Sequence, residues 1–172
     1  MKKTVALLFG GVSSEYAVSC VSAACVADNI NKEVYDVRLI GITEDGKWYL
    51  YSGDTDSMRN HTWDKKTEFL TSAVISPSKT HHGILLGDGT VIHVDAVFPV
   101  LHGKNGEDGT MQGLLALSGI PYVGCNTYSS AVCMDKVTTK ILCEKVGIPV
   151  VPYVFFRKNG FCVDTAVKEC EE

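Results

Sequence analysis

Apolar and polar positions along the chain fall into blocks that read as strand, turn and helix. Thr4 to Phe9 is a short apolar run closed by Gly10-Gly11, and it predicts a first strand. Val12-Ser13-Ser14-Glu15 follows with a serine available as N-cap, and Ala17, Val18, Val21, Cys25 and Val26 then recur at helical spacing. Tyr35 to Thr43 predicts a second strand, and Glu44-Asp45-Gly46 turns it back into Trp48 to Tyr51 as a hairpin. Ser52 to Thr67 is polar and irregular and reads as a surface loop, while Phe69 to Ile75 has no decisive period. Ile84 to Leu86 and Val91 to Val94 flank Gly87-Asp88-Gly89 and read as another hairpin.

The organising stretch runs from Val97 to Lys136. Val97 to Leu101 has the length and content of a buried strand, and it stops at the polar loop His102-Gly103-Lys104-Asn105-Gly106-Glu107-Asp108-Gly109. A helix from Thr110 to Ser118 follows, with Gly119 suited to a left-handed cap. Ile120 to Gly124 reads as a short closing strand. Ser129 or Ser130 is placed to cap a short turn through Met134, and Asp135-Lys136 opens a helix over Val137 to Val146, stopped by Gly147 and Pro149. Val150 to Phe156 is β-prone, Lys158-Asn159-Gly160 is a turn, and Asp164 to Glu172 starts a helix. The repeated order strand, helix, strand indicates an α/β fold: an open, mostly parallel sheet with helices on both faces. The expected domains are 1–125, an α/β domain, and 126–172, a segment too small to bury a core of its own.

Composition narrows the function classes. The 172 residues are 45% apolar with a net charge of −4 and no long run of either sign, which disfavours nucleic-acid or membrane-surface binding. No stretch approaches the ~18 apolar residues of a membrane span. The start, Met1-Lys2-Lys3 then Thr4 to Phe9, imitates a signal peptide, but Gly10-Gly11 and Glu15 interrupt it early, so a cytoplasmic location is expected. The seven cysteines form no CxxC pair and read as buried, reduced thiols rather than disulfides; Cys133 or Cys143 as a nucleophile is the alternative.

The candidate chemistry lies at strand ends. The β-turn-helix unit around Gly10-Gly11 lacks the GxGxxG spacing of a dinucleotide site. Glu15 suits an ammonium group, or it complements the helix dipole as a first-turn carboxylate. His102 at a strand end can donate or accept near neutral pH, or it is a satisfied structural histidine. Lys104, Glu107 and Asp108 are catalytic groups or turn formers, since Asn105-Gly106 and Asp108-Gly109 are turn dipeptides. Lys136 at a helix start opposes the dipole unless an anion such as phosphate shares the site. His81-His82 lacks a third metal ligand nearby and reads as solvated loop, and no metal ligands are assigned in this chain. The set suits a small zwitterion plus a phosphate donor.

Four separated stretches carry a family resemblance: Phe9 to Ser19 (FGGVSSEYAVS), Leu101 to Gly113 (LHGKNGEDGTMQG), Gly119 to Gly124 (GIPYVG) and Ser130 to Lys136 (SAVCMDK). In this order they resemble the D-alanine–D-alanine ligases, a branch of the ATP-grasp enzymes. The match runs from the start to about Pro149, and GITEDGKWY upstream is similar to the vancomycin-resistance ligases of the D-alanine–D-serine type. The resemblance implies that 1–125 is a Rossmann-like pre-ATP-grasp, substrate-binding domain and that 126–172 is the start of an ATP-grasp domain. It implies a ligase that phosphorylates D-alanine with ATP and magnesium or manganese, then joins the acylphosphate to a second D-amino acid for peptidoglycan precursors. It places Glu15 at the first substrate's ammonium, His102 on the acceptor side, Lys136 on ATP, and Ser19, Glu107 and Ser130 in supporting positions. It also implies a homodimer. Tyr16 and Ala116 depart from the common family pattern of His or Arg, and Glu, at those places. Family members run to about twice this length, so the chain is expected to be an amino-terminal fragment, inactive alone, with ATP and metal bound mainly elsewhere. The alternatives are another ATP-grasp carboxylate–amine ligase, separated by Glu15 and the HGKNGEDG loop, and a non-catalytic binding or dimerisation module.

Overall fold

The structure, a computed structural model, describes residues 1–157, 159–160 and 162–171. It contains two compact units, Met1–Ala131 and Val132–Glu172. The division falls inside a helix, past the position 125/126 expected from sequence.

The first unit is built on a seven-stranded sheet. Its strands are β1 (Lys3–Gly10), β2 (Tyr35–Ile42), β3 (Trp48–Tyr51), β4 (Leu70–Ile75), β5 (Gly83–Leu86), β6 (Val91–His93) and β7 (Ala96–Pro99), in the spatial order β6-β5-β4-β3-β2-β1-β7. Only β1–β2 and β1–β7 run parallel; the four other neighbours are antiparallel. The fold is α/β with an open sheet, but the sheet is mixed rather than mostly parallel. The reason is local: the short links after β2 and β5 can only close hairpins, whereas β1 and β2 are joined through a helix.

β1 is buried on both faces, which explains its unbroken apolar run. Leu7 and Phe9 meet α1 (Tyr16–Asn29) and α2 (Thr55–Arg59) on one face; Ala6 and Leu8 share the other with Met111 and Leu115 of α3 (Thr110–Ser118). The buried face of α1 is Tyr16, Ser19, Cys20, Ala23, Ala24 and Ala27. Ala17, Val18, Val21 and Cys25 point outward, so the valine spacing marks the exposed side. No serine caps this helix: Glu15 is the N-cap residue, without a side-chain bond, and Ser13 Oγ accepts from the Glu15 N–H at 3.1 Å.

The polar stretch Ser52 to Thr67 is not a plain loop. Asp54 caps α2 by accepting from the Ser57 N–H at 2.6 Å, and Trp63 is fully buried against Phe9, their rings 4.8 Å apart edge to face. Gly41 leaves the space: a Cβ there would lie 2.3 Å from the Trp63 ring. Ile120 to Gly124 forms only a parallel bridge, Val97 to Tyr122, beside β7.

The cap of α4 (Thr127–Met134) is Asn126, whose Oδ1 accepts from the Ser129 N–H at 2.8 Å, not Ser129 or Ser130. The second unit carries the end of α4, then α5 (Lys136–Lys145) and α6 (Val163–Glu171). Neither α5 nor α6 buries a residue. The β-prone stretch Val150 to Phe156 pairs with no strand among the described residues. Lys158 of the expected turn and Glu172 of the expected helix lie outside the described residues. All seven cysteines are free thiols, and only Cys20 is buried; Cys25 lies on the outer side of α1, Cys125 in the exposed link before α4, and the other four in the second unit.

Candidate functional site

The strand order fixes where a site can form. From β1 the chain moves to β2 on one side, and it returns to the other side of β1 only at β7. The connections leaving β1 and β7 therefore face each other at the reversal point, where ligands collect in open α/β sheets. Both connections are full of glycines with positive φ, among them Gly10 (83°), Gly11 (103°), Gly103 (68°) and Gly109 (91°). At Gly103 the need is plain: a Cβ would sit 2.8 Å from both Glu15 Oε1 and Ser13 Oγ.

The exposed carboxylate of Glu15 thus lies against the residue next to His102. No described residue donates a hydrogen bond to it or pairs with it. His102 is half-buried; its Nε2 lies 3.3 Å from Ser22 Oγ of α1, and its Nδ1 lies 3.9 Å from Glu107 Oε1. Glu107 spends its other oxygen on the Gly103 N–H at 2.8 Å. Asp108 accepts from the Asn105 N–H at 2.9 Å and the Thr110 N–H at 3.0 Å. Burial works against the Asp108 charge, but these donors outweigh it and hold its pKa below the usual value.

Ser19 is fully buried. It accepts from the Gly10 N–H at 2.9 Å and donates to the Val100 carbonyl, so it fastens the ends of β1 and β7 instead of facing a ligand. Ser130 is also buried, in α4, whose first turn packs on Gly109: a Cβ there would lie 2.8 Å from the Thr127 carbonyl oxygen. Lys136 is exposed at the start of α5 in the second unit, and it is not among the residues that the first unit gathers. Lys104 lines a cavity of about 230 Å³ with Val12, Ile42, Trp48, Leu101 and Met111.

Beneath the β1 turn, Tyr16 accepts a hydrogen bond from Trp63 Nε1 at 2.8 Å. Burial raises the Tyr16 hydroxyl well above its usual pKa and pushes the Cys20 thiol up to about 11, so this layer is neutral and structural. Among the described residues no group of three or more His, Cys, Asp or Glu is placed to hold a metal. His82 stacks on His93 with ring centroids 5.0 Å apart, away from any such group. No described helix is long and apolar enough to cross a membrane.

The residue missed from sequence is Ser22. Its signal is the stripe Glu15, Ser19, Ser22, spaced i, i+4, i+7, so that all three lie on one side of α1.

Comparison with known proteins gives a consistent result. Residues 4–125 match a family described as the D-ala D-ala ligase N-terminus. A D-alanine–D-alanine ligase of Caldicellulosiruptor bescii is 48% identical over 163 residues, covering 93% of this chain and 44% of the relative. The vancomycin/teicoplanin A-type resistance protein VanA of Enterococcus faecium is 47% identical over 147 residues, covering 84% of this chain and 41% of its own. Among solved structures, the VanG D-Ala:D-Ser ligase of Enterococcus faecalis has a TM-score of 0.87 at 46% identity, covering 99% of this chain and 49% of that one. The chain spans about half the length of the curated relatives it matches.

Proposed function

Because the chain belongs to the D-alanine–D-alanine ligase family, we propose that it supplies the substrate-facing part of an ATP-dependent ligase that joins D-alanine to a second D-amino acid. One observation carries this reading: Glu15 presents an exposed carboxylate with no internal donor, against Gly103, the residue that follows half-buried His102 in the loop after β7. An ammonium group is the natural partner of such a charge, and an amino acid supplies one. His102, one residue before Gly103 in the same loop, contacts the acceptor.

When bound, ATP supplies the phosphoryl group that activates a carboxylate for attack by an amine. Lys136, an exposed ammonium with no partner among the described residues, is the residue here that fits a phosphate. The described residues offer no set of carboxylates that fits magnesium, so no metal-dependent step is assigned to them. The second amino acid is D-alanine or D-serine, the latter supported by the likeness to the D-Ala:D-Ser ligase. The reaction belongs to the cytoplasm, where ATP is available.

The test is ADP release by the complete ligase carrying this chain, with D-alanine as first substrate and D-alanine, D-serine or D-lactate as acceptor. D-Alanine-dependent ADP release with either amino-acid acceptor is expected. The 172-residue chain alone is expected to release no phosphate from ATP. Absence of D-alanine-dependent turnover in the complete protein overturns the proposal.

A further inference from the structure

α1 meets the loop after β7 at three successive turns. Glu15 lies against Gly103, Ser19 donates to the Val100 carbonyl, and Ser22 reaches His102. The last contact concerns a side chain that touches substrate in the proposed reaction. The His102 ring is approached at both nitrogens: Ser22 Oγ lies 3.3 Å from Nε2 and Glu107 Oε1 lies 3.9 Å from Nδ1. Glu107 is itself fixed, because its other oxygen accepts from the Gly103 N–H at 2.8 Å.

A fixed carboxylate facing Nδ1 favours the tautomer with its proton on that nitrogen. Nε2 then holds a lone pair, and the Ser22 hydroxyl is the group placed to donate to it. We infer that Ser22 is a positioning residue for His102, fixing both the tilt of the imidazole and its tautomer from a rigid helix. A ring held only by a loop glutamate at 3.9 Å rotates about its Cβ–Cγ bond; a second tie from a helix stops that rotation. This inference rests on the reading that His102 contacts the acceptor.

The experiment compares Ser22→Ala, Ser22→Thr and His102→Ala in the complete ligase. Two properties are read: KM for each substrate against kcat, and the ¹⁵N shifts of the His102 ring nitrogens. Ser22→Ala is expected to raise acceptor KM about five- to tenfold, the worth of one lost hydrogen bond. It should leave KM for the first D-alanine unchanged and move the His102 shifts toward a mixture of tautomers. Ser22→Thr keeps the hydroxyl and should restore both. Wild-type shifts in Ser22→Ala overturn the inference, as do changed shifts with unchanged acceptor KM. If His102→Ala itself leaves turnover intact, the role given to His102 falls, while the ¹⁵N result still decides whether Ser22 sets the tautomer.

Discussion

Two connections leave the same edge of the sheet, and they use their carboxylates in opposite ways. In the loop after β7, Glu107 accepts from the Gly103 N–H, and Asp108 accepts from the N–H groups of Asn105 and Thr110. Those charges are spent on backbone donors and give the loop its shape. In the turn after β1, the Glu15 carboxylate has no such donor among the described residues, although it lies close to the same loop. Counting charges would place the site at Glu107-Asp108. Following the hydrogen bonds moves it to Glu15, because only an unspent charge has affinity left for a ligand.

The most direct way to break this contrast is to neutralise each side in the complete ligase. Glu15→Gln should lower kcat/KM for D-alanine by about a hundredfold or more, the usual scale for removing one partner of a charged pair. Its melting temperature should scarcely move, since the carboxylate holds nothing internal. Glu107→Gln should behave the other way, costing about 1 kcal/mol of stability with a smaller kinetic loss of about tenfold. Steady-state kinetics beside thermal melts of both variants check this, and a reversed ranking sinks the comparison.

The point of contact between the two connections is the next lever. Gly103 has φ 68°, and a Cβ there would lie 2.8 Å from Glu15 Oε1 and Ser13 Oγ. Gly103→Ala should therefore cost about 1–2 kcal/mol in backbone strain and push Glu15 out of place. Urea unfolding would show the first effect, and a raised KM for D-alanine with little change in kcat the second. A variant with wild-type stability and KM means the carboxylate does not rest on this glycine.

The same contrast explains what the residue pattern revealed and what it hid. β1 and its diglycine were legible, because a strand buried on both faces has to be an unbroken apolar run. The β2–β3 hairpin and the end of α3 at Gly119 were legible for equally local reasons. The buried face of α1 was not, because hydrophobicity ranks valine above alanine. There the small side chains of Ala23, Ala24 and Ala27 pack toward the sheet while Val18 and Val21 face out. Trp63 was hidden in a polar stretch, since its burial depends on the space that Gly41 leaves on a distant strand. At the site, Glu15 and His102 were visible as chemistry at strand ends. The buried fastening role of Ser19 and the contact of Ser22 with His102 depend on how β7 lies beside β1, and neither is local. Lys136 lies in the second unit, whose helices α5 and α6 bury no residue.

The smallest expected effect is in acid, and it sharpens the comparison from the side of the spent charges. Backbone donors hold the Asp108 pKa below its usual value against the opposing effect of burial. A depressed folded pKa gives stability that is present above the unfolded value, about 3.9, and is lost as pH falls through the folded value. Asp108 is only half-buried, so solvent screening leaves a contribution on the order of a few tenths of a kcal/mol. Below about pH 4 the amides of Asn105 and Thr110 should therefore exchange with solvent faster than those of β1, with β1 still closed. In Asp108→Asn the pH dependence of that exchange should flatten, because the side chain no longer titrates. Protection of the two amides that stays constant down to pH 2 would mean that the charge of Asp108 does not hold the loop.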